Sequence, residues 1–183
     1  MSKIFLISGK AGSGKGEVGD VLERELMKDG YPVLTISFGD AVKDALSRYY
    51  DWDGNKDKHG REMLQQLGTE KVRAMFPDFW AEHVAKLIAA TRKDWVYVII
   101  PDWRFINEFD VISDYNSDVT TIRIERYNED GSEYVNPNMT DAQRAHISET
   151  ELDKFPFDYI IENRGDLEEL EDNVLAILED LNN

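Results

Sequence analysis

The chain has no cysteine among its 183 residues. Disulfides, thiolate metal sites and a cysteine nucleophile are therefore excluded, and the redox compartment is left open. No apolar run approaches the roughly 18–20 residues that span a bilayer. The opening Ile4-Phe5-Leu6-Ile7 is short and runs into glycines and lysines without a small-residue cleavage site, so it reads as a buried strand rather than a signal peptide. A cytoplasmic address is the expectation, with no membrane partner. Positive charge is scarce: Lys+Arg number 21 against Asp+Glu 37, a net charge of −16. Such a surface repels a nucleic-acid backbone, which argues against DNA or RNA as a partner. A small phosphorylated ligand stays compatible if the few cations gather in one cleft. No Ser/His/Asp triad and no metal-ligand spacing around the histidines is visible.

What is present fits one domain, residues 1–183. Hydrophobic residues make up 42% and are evenly spread. Lys3–Ser8 is a continuous apolar run of strand length, and further strands are predicted at Val33–Phe38, Trp95–Ile100 (ended by Pro101), Val119–Glu125 and Phe157–Ile161. Helical spacing predicts helices over Lys15–Asp29, Asp40–Tyr50, Gly60 to about Met75, Asp78–Arg92, Trp103–Tyr115 and Asp166–Leu181, the last N-capped by Asp166. Asp51–Lys58 reads as a polar turn, and Tyr127–His146 as a loop or mobile insert. Strands alternating with helices predict an α/β fold with a mainly parallel sheet, whose strand ends share one edge.

The sharpest motif is Gly9-Lys10-Ala11-Gly12-Ser13-Gly14-Lys15, between a strand and a helix. It matches the phosphate-binding loop: glycines let backbone N–H groups turn around phosphate oxygens, and the next helix aims its N-terminus at the same anion. Lys15 adds a full charge that can follow a transferring γ-phosphoryl group. Where a Ser or Thr would touch Mg²⁺ stands Gly16, followed by Glu17. The ion must then be held by phosphates, water and another carboxylate, for which Asp102 is the candidate; an N-cap role for Asp102 weighs equally.

Other groups carry two readings each. Arg104 and Glu108 are a helical surface pair, or Arg104 is a phosphate clamp. Arg61 and Gln65 alone read as a solvated helix face. Phe79 and Trp80 read as core. Arg123 alternates outward on its strand, whereas Arg126 and Arg144 bracket the insert, as arginines of a lid would. Thr140-Asp141-Ala142-Gln143 and Ser148-Glu149-Thr150-Glu151 both resemble capping boxes, and His146 is assigned a capping or solvent role. Asn163-Arg164-Gly165-Asp166 only superficially resembles a guanine-reading motif, since no Asp-x-x-Gly switch element accompanies it.

Several stretches together resemble the phage-type deoxynucleoside monophosphate kinase family. They are Ser13-Gly14-Lys15, Phe38-Gly39-Asp40-Ala41-Val42-Lys43, the run Gly60–Glu70, Asp78-Phe79-Trp80, the run Asp102–Glu108, and His146-Ile147-Ser148-Glu149. They occur in the family's order over nearly the whole chain, and the runs Gly60–Glu70 and Asp102–Glu108 are the more specific. The resemblance implies a three-layer P-loop kinase fold with a helical acceptor-binding region (about 39–92) and a lid insert (about 127–148). It places Asp40, Lys43, Arg61, Gln65, Trp80 and Arg104 in an acceptor pocket, and Arg126 and Arg144 in the lid. Gly9 to Glu17 would bind ATP, and Lys15, Arg104, Arg126 and Arg144 would act in catalysis. The family usually has an acid directly after the loop lysine and often basic residues where Ala11 and Gly12 stand here, so this loop departs from the pattern.

The expected activity is transfer of the γ-phosphoryl group of ATP, with Mg²⁺, to a deoxynucleoside monophosphate. A small-metabolite kinase of the phosphomevalonate type, which shares a Ser-Gly-Lys loop lacking the hydroxyl residue, is the alternative enzyme. A nucleotide-binding module without catalysis is the alternative outside enzymes. The base, the sugar preference and the oligomeric state, including a homodimer, stay open.

Overall fold

The structure is a computed structural model that describes residues 2–181. Five strands, β1 (Lys3–Gly9), β2 (Val33–Thr35), β3 (Tyr97–Trp103), β4 (Val119–Arg126) and β5 (Tyr159–Asn163), form one sheet. Their order is β2-β3-β1-β4-β5 and every pairing is parallel. Parallel sheets are covered on both faces, which explains the apolar runs Ile4–Ile7 in β1 and Val98–Ile100 in β3. On β1, Phe5 and Ile7 face the layer of α1 (Lys15–Lys28) and α8 (Leu167–Leu181), against Val18, Leu22, Leu170 and Val174. Ile4 and Leu6 face α4 (Phe79–Thr91) and α5 (Ile106–Tyr115), against Val84, Ile88 and Ile112. The result is the expected α/β/α sandwich.

A satellite cluster, Val42, Leu46, Trp52 and Trp80, joins α2 (Asp40–Tyr49), α3 (Lys58–Gln65) and a π-helical continuation over Gln66–Arg73. Gly60 is required there: a Cβ would lie 1.9 Å from the Asn55 carbonyl and 2.8 Å from Trp52 Nε1. The polar turn before α3 thus hides a buried tryptophan, whose Nε1 donates to Asn55 O at 3.0 Å. Two one-turn helices, α6 (Asp141–Arg144) and α7 (Ile147–Thr150), follow the segment after β4. Among the described residues no helix is long and apolar enough to cross a membrane.

Several boundaries differ from expectation. Pro101 does not end β3, because a bulge in β3 opposite Ile7 of β1 absorbs it: Leu6 pairs with Ile100, and Ser8 with Trp103. The following helix starts at Ile106 rather than Trp103, so Asp102 is no N-cap. β2 stops at Thr35. Thr140 caps α6 in a full capping box with Gln143, as expected. Ser148 does not cap: His146 does, its Nδ1 accepting from Ser148 N at 3.2 Å, so the hydroxyl residue falls inside α7. Phe79 is exposed, not core, whereas Trp80 is buried. Arg123 is buried rather than outward, reaching Ser8 Oγ and Asp153 at the sheet's edge.

Candidate active site

The loop between β1 and α1 takes the backbone shape its glycines permit. Gly9, Gly12 and Gly14 all have positive φ, at 153°, 85° and 105°. Lys15 opens α1, and its Nζ donates to Gly9 O at 2.6 Å and Lys10 O at 2.9 Å, folding back over the loop. Burial lowers the Lys15 pKa to about 7, helped by the nearby Arg104 charge and opposed by Glu149 and Asp102. Ser13 Oγ is buried with no hydrogen-bond partner among the described residues, as suits a loop built for an oxygen-rich group.

The loop is held from outside through its carbonyls. Asn163 Nδ2, at the end of β5, donates to Ser13 O at 2.8 Å. Asn136 Nδ2 donates to Ala11 O at 3.2 Å, and Arg126 to Gly12 O at 2.8 Å while stacking on Tyr134. Lys10 is paired with Glu133 at 2.7 Å. The 127–138 segment therefore rests on the loop's carbonyl edge and leaves most of its amides to a ligand. Two amides are engaged: Ala11 N donates to Glu149 Oε2 at 2.8 Å, and Ser13 N to Lys10 O at 3.1 Å.

Beside the loop, α2, α3, the π-helical turn and the ends of β3 enclose a cavity of about 230 Å³. Lys43, Arg61, Gln65, Trp80, Asp102 and Arg104 all line it. The bulge in β3 aims Asp102 at the start of α2, where its two oxygens accept from Phe38 N at 2.9 Å and Gly39 N at 2.8 Å. Burial pushes its carboxyl up, and these two amides pull it back. Trp80 Nε1 donates to Gly68 O at 3.0 Å, which fixes the indole plane.

Arg104 and Glu108 are not the ion pair that their spacing predicts. Glu108 is buried and accepts from Arg104 N and Phe105 N, capping α5, while its other oxygen takes Arg73 at 2.6 Å. Burial raises its pKa to about 7 against the pull of Arg73. The Arg104 guanidinium instead meets Glu149 and Ser148 O.

Two expected residues lie elsewhere. Asp40 stays on the surface, accepting from Ser37 N and pairing with Lys43. Arg144 curls onto its own helix, against Met139 O and Asp141, and lines neither the cavity nor the loop. Residues that sequence reasoning passed over also face the cavity: Lys56, Arg73, Met139 and Glu149. Glu149 stood in a quoted motif without a role, and Lys56 sat in a segment read only as a turn.

Acids near the cavity are all engaged by amides or arginines, whereas Arg61 enters no ion pair and its buried Nε has no partner among the described residues. Lys56 is likewise outside any ion pair, and burial lowers its pKa, as do Lys43, Arg104 and Arg61. The combination is a polyphosphate loop next to a cation-rich, half-apolar cleft at the carboxyl edge of a parallel sheet, where ligands bind in such folds.

That fold and site define a P-loop phosphotransferase of the nucleotide kinase type. The chain belongs to the deoxynucleotide monophosphate kinase family, whose model matches residues 52–174. The matched stretch spans α3, the π-helical turn, α4 and the segment after β4, and the phosphate loop and α2 lie before it. Similar solved structures include a sugar kinase from Janibacter sp. HTCC2649, 16% identical, with a TM-score of 0.58 over 98% of this chain and 95% of that one. A gluconokinase from Sinorhizobium meliloti 1021 is 15% identical, with a TM-score of 0.51 over 98% and 93%. At such identity the likeness concerns the fold. No curated protein matches the sequence.

Proposed function

We propose that the protein transfers the γ-phosphoryl group of ATP to the phosphate of a deoxynucleoside monophosphate, giving the diphosphate. The observation that carries this is the juxtaposition of the Lys15 loop with a separate cleft holding two unpaired cations, Arg61 and Lys56. A donor polyphosphate and an anionic acceptor would thus meet at Lys15 and Arg104. The family description supports the acceptor class.

The chemistry asks little of acid–base groups. The accepting phosphate oxygen is already anionic, so positioning and charge neutralisation supply most of the rate. Lys15 would track the transferring group, Arg104 would neutralise the space between donor and acceptor, and Arg61 with Lys56 would hold the acceptor phosphate. Phe38, Leu64, Trp80 and Met139 give the cavity apolar walls suited to a base, and Gln65 and Thr69 supply polar edges. Arg126 would steady the loop through Gly12 O.

Mg²⁺ fits this site only as an ion bound mainly by its substrate. Among the described residues no cluster of three acids or histidines could hold a metal. Asp102 is the protein group placed for it, since each of its oxygens uses one lone pair on an amide and keeps another. The ion supplies charge neutralisation on the phosphates. A soluble enzyme acting on free nucleotides, in the cytoplasm, is consistent with this chemistry.

The test is ADP formation from ATP and Mg²⁺ with each deoxynucleoside monophosphate, and in parallel with each ribonucleotide. Turnover with at least one deoxynucleotide is expected. No turnover with any of them sinks the proposal.

A further inference from the structure

Glu149 sits where an acid is electrostatically unwelcome. It is buried on α7, a few ångströms from a loop meant for polyphosphate, and its charge acts on Lys15. An acid there repels the incoming phosphates unless it performs a geometric task. Its two oxygens reveal one. Oε2 accepts from the Ala11 amide of the phosphate loop at 2.8 Å, and Oε1 takes the Arg104 guanidinium, which lines the acceptor cavity. One carboxylate thus joins the donor half of the site to the acceptor half. The Ser148 carbonyl adds a second acceptor to the same Arg104 nitrogen.

We propose that Glu149 is the positioning residue that fixes Arg104 against the phosphate loop, setting the spacing between donor and acceptor. The assignment rests on the phosphotransferase reading above. Arg104 uses one nitrogen, Nη1, on this bridge and keeps its other donors for a phosphate. An arginine held at one end by a buried acid loses less conformational freedom on gripping its ligand, so the bridge acts as preorganisation. Arg104 also neutralises the acid, which is how an anion is tolerated beside the cradle.

Glu149→Gln separates this role from a merely structural anchor. The amide oxygen still accepts from Ala11 N, but the amide NH₂ then faces the Arg104 donors, so the arginine is released while the loop keeps its bond. The expected result is an acceptor KM raised about ten-fold, with the affinity for a fluorescent ATP analogue, measured without acceptor, changed less than about two-fold. Arg104→Ala should do the same to the acceptor, and the double variant should be no worse than Arg104→Ala alone. An anchor role would lower the melting temperature without moving the acceptor KM.

If Glu149→Gln does not fold, Glu149→Asp serves, since it keeps the charge but is one methylene too short to reach both partners. Unchanged acceptor KM in the folded variant, or effects that multiply with those of Arg104→Ala, overturns the proposal. Wild-type turnover is measured alongside. Its absence would defeat the phosphotransferase reading itself, whereas the bridge fails only if wild type turns over and the variants behave like it.

Discussion

Nucleotide binding should take up a proton on Lys15, and the uptake should grow as pH rises. Free Lys15 has its pKa lowered to about 7 by burial and by Arg104. A polyphosphate needs the ammonium form and raises that pKa again. Binding should then absorb about half a proton at pH 7 and about nine tenths at pH 8, with affinity falling about five-fold across that step. The same group acts on folding in the opposite sense. Its folded pKa lies below the ordinary lysine value of 10.5, so the unfolded chain holds the extra proton between these values. The cost of burying the charge is therefore felt in full below about pH 7 and relieved as pH rises through that window. Titration calorimetry in two buffers of different ionisation enthalpy reads the uptake directly. Lys15→Ala gives the background from the nucleotide itself. An uptake that stays flat from about pH 6 to 8, or one that Lys15→Ala reproduces, would refute the argument.

Gly9→Ala should cost about 1–3 kcal/mol and abolish nucleotide binding, because its Cβ would lie 2.5 Å from Ser13 Oγ and 2.6 Å from Ile124 O at a φ of 153°; a wild-type melting curve with intact binding counts against the loop geometry. Arg61→Ala should raise the acceptor KM about ten-fold and leave the ATP KM within about two-fold, since its unpaired guanidinium faces only the acceptor cavity; steady-state kinetics checks it, and an unchanged acceptor KM removes Arg61 from the site. Gly16→Ser should fold with stability changed by less than about 0.5 kcal/mol, because a Cβ there meets nothing within 4 Å. It should also lower the Mg²⁺ concentration giving half-maximal activity, by restoring the hydroxyl that such loops usually carry; an unchanged Mg²⁺ dependence sets that aside.

The sheet and its helices were legible because burial on both faces writes a local signal. Lys3–Ser8 had to be a central strand, and the glycines after it had to be a loop. Arg61 and Gln65 were legible through the resemblance, not through their own spacing. What stayed hidden depends on contacts between distant segments. Glu149 lies 45 residues from Arg104 and 138 from Ala11, so no periodicity links them. Glu108 appeared four residues after Arg104 as an obvious pair, yet the β3 bulge and an extended Phe105 turned it inward to cap α5 and take Arg73. Arg144 carried the lid assignment on its position beside the insert and on the resemblance, and its own carboxyl neighbour Asp141 captured it.

How a chain of net charge −16 accepts polyanions follows from which of its charges are spoken for. At the cavity every acid has a local partner: Asp102 two amides, Glu108 two amides and Arg73, Glu149 an amide and Arg104. Arg61 and Lys56 have none among the described residues, and Lys15 is held only by carbonyls. Beyond about 8 Å, physiological salt screens the acidic surface, so an entering phosphate feels chiefly these nearby cations. Inside the cleft, lower polarity strengthens them, and burial has already removed much of their water. The scarcity of Lys and Arg is therefore no obstacle to binding phosphates. The cations that count are those of the cleft, where two phosphates have to meet.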